Sequence, residues 1–363
     1  MKKAFLLLFT ITLIAIMAAC NSSSNTESSS GSTTEEPKTE TKSAVEDKDT
    51  LTIVWLPNES GADLRDARDE IGAEIEKVTG KKVNHQTTTD YLIAIETIAN
   101  GNADLGFFGA QGYIEANNRN NSVQPLVVPS GASGTLEDAV YYSWLAVNKG
   151  NEDQYINGSD YSIDNIAGQR FSFVSNSSTS GFKVPSAAIV SHFNEMDEYK
   201  DLDAEDLLEG GSNNFFSEVL YGGSHQGTLV NLLTDRADVV SICDACVNNY
   251  IELISGEENR AGSVYRILDD AAEPFNTFPG REFALISVTP VLNAPIVVNQ
   301  DNVSAELIEQ ILTALTSEDM ANNEKVFVPK DSEIKGLFSK SADEQFVKVE
   351  DSWFDPIREL SSK

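Results

Sequence analysis

Positive charge is what this chain has least of: 26 Lys and Arg stand against 57 Asp and Glu, a net charge of −31 over 363 residues. Such a surface repels nucleic acid and anionic lipid, which argues against nucleic-acid binding. Histidine is scarcer still, with three residues. The three histidines lie far apart, and there is no HExxH, no P-loop and no Gly-x-Ser-x-Gly elbow, so the usual signatures of zinc peptidases, nucleotide hydrolases and α/β-hydrolases are missing. Of three cysteines, Cys243 and Cys246 form the only close pair, and no second CxxC or His pair accompanies them to complete a zinc site. They read as two incidental thiols at a strand end or as a local disulfide. No cofactor or metal is implied.

Long apolar runs are absent but for one. Lys2 and Lys3 precede Ala4 to Met17, which is nearly all apolar and ends at Ala18-Ala19-Cys20. The run is shorter than the ~20 residues a spanning helix needs, so residues 1–19 read as a cleaved signal peptide. Met17-Ala18-Ala19-Cys20 resembles the lipobox of bacterial lipoproteins, which implies lipidation of Cys20 and an extracytoplasmic protein held to the cell membrane by its acyl chains. Loss of Lys2 and Lys3 with the leader takes the charge from −31 to −33. Residues 20–50 are rich in Ser, Thr, Glu and Lys, with scarcely a large apolar side chain, and cannot offset their ordering entropy. They are expected to form a flexible tether.

The roughly 310 residues that follow exceed one minimal core and suit two lobes. Leu51 to Leu56 is a β-prone run, and Leu64, Ala67, Ile71, Ile75 and Val78 then recur at helical spacing up to Gly80. Lys81 to Thr88 reads as a strand, Tyr91 to Ala99 as a helix, Ala103 to Phe108 as a buried strand, and Pro125 to Pro129 and Tyr141 to Val147 as further strands. A second series starts at Arg170 to Val174. A helix is expected near Ser180 to Phe193, a strand at Val219 to Tyr221, a helix near Ser224 to Thr234, a strand at Ala237 to Ile242 and a helix near Asp244 to Ile254. Pro295 to Asn299 reads as a strand, Ser304 to Thr316 as a helix, and the last thirty residues as helical. This alternation predicts an α/β fold of mostly parallel sheets covered on both faces, with ligand bound at the carboxyl ends of the strands. The expected division is 51–146 with 287–363 in one lobe and 147–286 in the other, hinged near Trp144 to Val147 and Phe283 to Val288.

One segment carries chemistry. In Val174-Ser175-Asn176-Ser177-Ser178-Thr179-Ser180-Gly181-Phe182 a strand runs straight into hydroxyl residues and a glycine, and a helical pattern follows. The first N–H groups of a helix lack internal partners and carry partial positive charge, so such a turn can cradle an anion without Lys or Arg. Ser178 or Thr179 could equally be a plain N-cap.

Phe171-Ser172-Phe173-Val174 followed by Ser178-Thr179-Ser180-Gly181 resembles the signature of the phosphonate-, phosphite- and phosphate-binding proteins of ABC transporters, the PhnD-like family with the type II periplasmic-binding-protein fold. The resemblance extends through Thr89-Asp90-Tyr91, Ala103 to Gly109 with Tyr113, Gly223-Ser224-His225, Ala237-Asp238-Val239 with Asp244, and Asn293-Ala294-Pro295. It implies a two-lobed protein with its cleft between the lobes, a monomer that passes a small oxyanion to a permease and catalyses nothing. The implied ligand-binding residues are Tyr91, Tyr113, Ser178, Thr179, Ser180 and His225, with Asp244 as a further candidate. Gln226 and Ala294 stand where many relatives carry acids, which argues against an amino-bearing ligand. The rival readings are a binding protein for another organic solute, stacked on Trp55 and Tyr113, and an exported hydrolase.

Overall fold

The computed structural model describes residues 48–360 apart from 331 and 333. The leader, most of the tether and Cys20 lie outside the described residues. No helix among the described residues is long and apolar enough to cross a membrane.

The strands are β1 (Thr50–Trp55), β2 (Lys82–Thr87), β3 (Leu105–Phe107), β4 (Val123–Pro129), β5 (Val140–Asn148), β6 (Ile156–Asn157), β7 (Asp160–Tyr161), β8 (Arg170–Phe173), β9 (Glu218–Tyr221), β10 (Val239–Cys243), β11 (Ile251–Ser255), β12 (Val264–Ile267), β13 (Glu282–Leu292), β14 (Ile296–Asn299), β15 (Phe327–Pro329), β16 (Phe338–Lys340) and β17 (Phe346–Lys348). The helices that matter here are α1 (Arg65–Thr79), α2 (Tyr91–Ala99), α3 (Ala110–Arg119), α4 (Val184–Phe193), α5 (His225–Leu233) and α6 (Ala305–Leu315).

Two large sheets organise the chain, ordered β17-β4-β14-β3-β1-β2 and β11-β12-β13-β5-β10-β8-β9. In β1 the pleat sends Leu51, Ile53 and Trp55 into one core with Ile71, Ile75 and Ile311, and sends Val54 into another with Ile95, Ile98 and Phe108. That two-sided burial is why Ile53, Val54 and Trp55 are consecutive apolar residues. The second sheet is likewise covered on both faces, by α5 and the 247–275 region on one and by α4 and Phe216 on the other.

The sheets are mixed, not mostly parallel. β1 runs parallel to β2 and β3, and β8 to β9 and β10, but β14, β17, β5, β13, β12 and β11 all pair antiparallel. The reason is connectivity: the chain leaves the first sheet after β4 and returns after β13, so returning strands enter against the βαβ direction. The lobe boundaries shift accordingly. Strands β5 and β13 pair with each other from Val140↔Leu292 to Asn148↔Phe283, wholly inside the second sheet. The expected hinges at Trp144–Val147 and Phe283–Val288 are thus its central strands, and the chain passes between sheets at 130–139 and 293–295.

Two further expectations fail. The stretch expected as a helix near Asp244 to Ile254 is a 3-10 turn, Asn248–Tyr250, and strand β11. A disulfide between Cys243 and Cys246 closes its start, and β11 pairs across to β12 with Glu252 facing Arg266. Among the described residues from 334 to 360, helical structure is confined to short segments at Asp351–Phe354 and Asp355–Glu359; the rest is irregular chain around β16 and β17, and β17 adds to the edge strand β4 and buries Phe346.

Candidate functional site

Strand β8 is held by stacked Phe171, Phe173 and Phe216, and it delivers the chain to a tight turn. Ser178 adopts an extended conformation and its Oγ accepts from Gly181 N at 3.1 Å; a single π-helical turn, Thr179–Lys183, then leads into α4. Only glycine fits at 181, because a Cβ there would come within 2.3 Å of Val174 Cγ2. The turn is pinned from the second sheet, where Ser143 Oγ of β5 donates to Ser180 O at 2.6 Å and Ser241 Oγ of β10 donates to Gly181 O at 2.8 Å. Ser178, Thr179 and Ser180 are all at least 98 % buried. Capping and anion binding are compatible: Ser178 uses a lone pair for the cap and keeps its hydroxyl proton.

Three more helix starts meet this turn. Tyr91 is the first residue of α2, capped by Asp90, whose Oδ1 accepts from Leu92 N at 2.7 Å. Gly109 caps α3, and Gln111 N donates to Thr179 Oγ1 at 2.9 Å across the cleft. His225 opens α5, capped by Ser224. The cavity they enclose, about 90 Å³, is lined by these residues, by Tyr141, Asn58 and Glu59, and by Phe107, Ala245, Ala294, Leu337, Phe338 and the Cys243–Cys246 disulfide. That is room for several water-sized groups. No Lys or Arg is among the described residues that line it.

The donors are neutral and held in place. His225 is buried, and burial pushes its pKa down to about 3. Its Nδ1 accepts from Cys243 N at 2.9 Å, so the neutral ring carries its proton on Nε2 and can only donate there. Tyr91 OH accepts from Asn58 Nδ2 at 2.6 Å, while Asn58 Oδ1 accepts from His225 N at 3.0 Å, so one asparagine ties the two lobes' donors together. Burial pushes the Tyr91 and Tyr141 phenols up, which keeps both protonated. The lobes also meet through Ser177 Oγ on Glu115 Oε2 at 2.8 Å and Tyr250 OH on Asp63 Oδ2 at 2.8 Å. The C-terminal segment reaches across too: Asn249 Nδ2 donates to Gly336 O at 2.9 Å, Asn248 Nδ2 to Ser339 Oγ at 3.0 Å, and Lys330 pairs with Glu258 at 2.9 Å.

Of the residues expected from the sequence, Tyr91, Ser178, Thr179, Ser180 and His225 come together around the cavity. Tyr113 does not. One turn into α3 it faces the lobe core, with its ring 5.0 Å from that of Phe354 and its hydroxyl on Asp351. Asp244 is also outside the lining: its carboxylate accepts from Tyr142 N at 2.9 Å, and burial raises its pKa to about 6. Trp55, expected to stack on an organic solute, is sealed between His85 and Phe107. Gln226 donates to Asn58 O at 3.1 Å and Cys246 O at 2.9 Å and so braces the wall. Sequence reasoning missed Tyr141, Asn58 and Glu59. Their signal was position alone, a strand start and a loop at the carboxyl end of β1, where ligands of open α/β sheets bind.

As chemistry, the cavity's hydroxyls, phenols and histidine are neutral donors, and Glu59 is the one carboxyl among the described lining residues. A histidine whose pKa is about 3, and whose inward nitrogen already holds a proton, cannot activate a serine at neutral pH. Two sheet-based lobes with helix starts converging on a closed cavity between them define a solute-binding protein. The chain matches, over residues 53–354, the family model described as the periplasmic substrate-binding protein of phosphonate ABC transporters, and it belongs to that family. The phosphate-import protein PhnD of Mycolicibacterium smegmatis is 27 % identical over 203 residues, which cover 55 % of this chain and 57 % of that protein, so the match spans little more than half the relative's length. Among solved structures, PhnD1 of Prochlorococcus marinus bound to methylphosphonate has a TM-score of 0.58 at 16 % identity, covering 86 % of this chain and 97 % of that one. A binding-protein component of an ABC phosphonate transporter from Pseudomonas aeruginosa has a TM-score of 0.58 at 18 % identity, covering 87 % and 86 %. These two likenesses carry the fold, which is that of type II periplasmic binding proteins.

Proposed function

We propose that this protein is the extracytoplasmic receptor of an ABC importer, lipid-anchored through Cys20 and monomeric, which closes its lobes over phosphate, phosphite or a small phosphonate and hands it to the permease. The observation that carries the reading is the convergence of four helix starts, three buried hydroxyl side chains, two phenols and a histidine Nε2–H on one small cavity with no lysine or arginine among its described lining residues. Such donors suit a compact oxyanion, and in a dry site they act against the protein's own acidic field. Ala245 and Ala294 in the wall offer nothing to a ligand ammonium group. Closure is a hinge motion driven by contacts made to both lobes.

Calorimetric titration with phosphate, phosphite, methylphosphonate, 2-aminoethylphosphonate and sulfate tests this, alongside a phosphatase and esterase screen. At least one phosphorus oxyanion should bind without turnover, and Thr179→Ala should weaken it about tenfold or more, the cost of a lost hydrogen bond to a charged group. Binding of none, or turnover abolished by Ser178→Ala, would overturn the reading.

A further inference from the structure

Among the cavity's donors sits one acid. Glu59 lies in the turn after β1, lines the cavity and is 92 % buried, and its Oε2 has no hydrogen-bond partner. A buried carboxyl oxygen left unpaired is costly, more so if charged, unless something completes it. The nearest cation does not. The Arg68 guanidinium is turned onto backbone oxygens, donating to Glu59 O and, at 3.0 Å, to Gly61 O.

We infer that Glu59 and the bound oxyanion share a single proton, so that the pocket takes its ligand only with one hydrogen between the carboxyl and a ligand oxygen. The inference rests on the oxyanion reading above. Its logic is charge: a carboxylate and a phosphorus oxyanion side by side in a cavity without a cation repel, whereas a carboxyl that donates, or a P–OH that donates to a carboxylate, removes one charge and satisfies Oε2 together. In the empty site the proton resides on Glu59, whose pKa burial raises to about 8. The surrounding groups do not titrate in competition. The Tyr91, Tyr141 and Tyr250 phenols are pushed up by burial, Arg68 keeps its charge, His225 is neutral down to about 3, and Asp244, raised to about 6, is ionised at higher pH. Asp63 is engaged by Tyr250 OH.

Methylphosphonate, a full dianion above about pH 9, is the probe, with titrations from pH 7 to 10 in buffer pairs of different ionisation enthalpy. The wild type should take up close to one proton per ligand at the alkaline end, and its affinity should fall about tenfold per pH unit above 8. Glu59→Gln, whose amide donates permanently, should still bind at pH 7, take up no proton and lose that slope. Melting curves across the same range show whether each protein stays folded, and the wild-type proton count stands without any variant. Binding with no proton uptake and identical slopes in both proteins refutes the shared proton while leaving the oxyanion reading intact. Tighter binding of 2-aminoethylphosphonate than of methylphosphonate, lost in Glu59→Gln, would make Glu59 an ammonium acceptor and also refute it. Absence of binding by any phosphorus oxyanion at pH 7 removes both.

Discussion

Gly109 separates closure from stability more cleanly than any other residue here. Its backbone, φ −65° and ψ 160°, suits any L-residue, so alanine meets no backbone strain within the first lobe. Across the closed cleft the story differs: a Cβ at 109 would stand 2.6 Å from Thr179 Oγ1, the atom that accepts from Gln111 N. Gly109→Ala therefore penalises only the closed form. Overpacking of this kind costs about 1–3 kcal/mol, which corresponds to an affinity about 5- to 150-fold weaker if ligand is held by closure. The ligand-free protein should be unchanged or stabilised by about 0.4–1 kcal/mol, because alanine restricts the unfolded chain. Calorimetry with the tightest-binding oxyanion and melting curves with and without it read the two effects separately. Adding Thr179→Ala removes the clashing oxygen, so the double variant should be weakened by less than the product of the two single effects. Unchanged affinity in Gly109→Ala, or a ligand-free melting temperature that falls in step with affinity, would refute the argument.

Other predictions concern pH and the anchor. Glu59 has a folded pKa near 8 against 4.5 unfolded, so the stability it contributes is complete below 4.5 and lost as pH rises towards 8, at up to about 1.4 kcal/mol per unit; Glu59→Gln should flatten that limb in melting curves. His225 has the opposite sign: with a folded pKa near 3 against 6.5, its contribution is present above 6.5 and lost as pH falls, so His225→Asn should let stability keep rising as pH drops from 6.5 to 4.5. Replacing Cys20 by Ser should move the protein from the membrane fraction to the soluble one in its host, and an unchanged distribution would remove the anchor.

What was legible in the sequence was local. The apolar spacing from Tyr91 to Ala99 gave α2, and the hydroxyl run ahead of Gly181 gave the turn, because both depend on groups a few residues away. What failed depended on partners far off in the chain. Ile251 and Leu253 fit a helical period as well as a strand, and only pairing with β12 decides between them. Strands β5 and β13 carry no break in composition where lobes were expected to divide, since their register with each other sets the boundary. Tyr113 and Tyr141 are equally good anion donors on paper, and only the helix face of one and the strand start of the other send the first to Asp351 and the second to the cavity.

The cavity's last wall comes late in the chain. Residues 336–338 line the cavity, and Gly336 and Ser339 are held by Asn249 and Asn248 of the other lobe. A polypeptide threaded outward from its amino end exposes Asn58, Tyr91, Tyr141, the Ser178–Ser180 turn and His225 before it exposes any of that wall. Each could fold into place on emergence, yet the cavity stays open on one side until Phe338 has arrived. The ring of lining residues is thus complete only when residues 336–338, near the end of the chain, are in place.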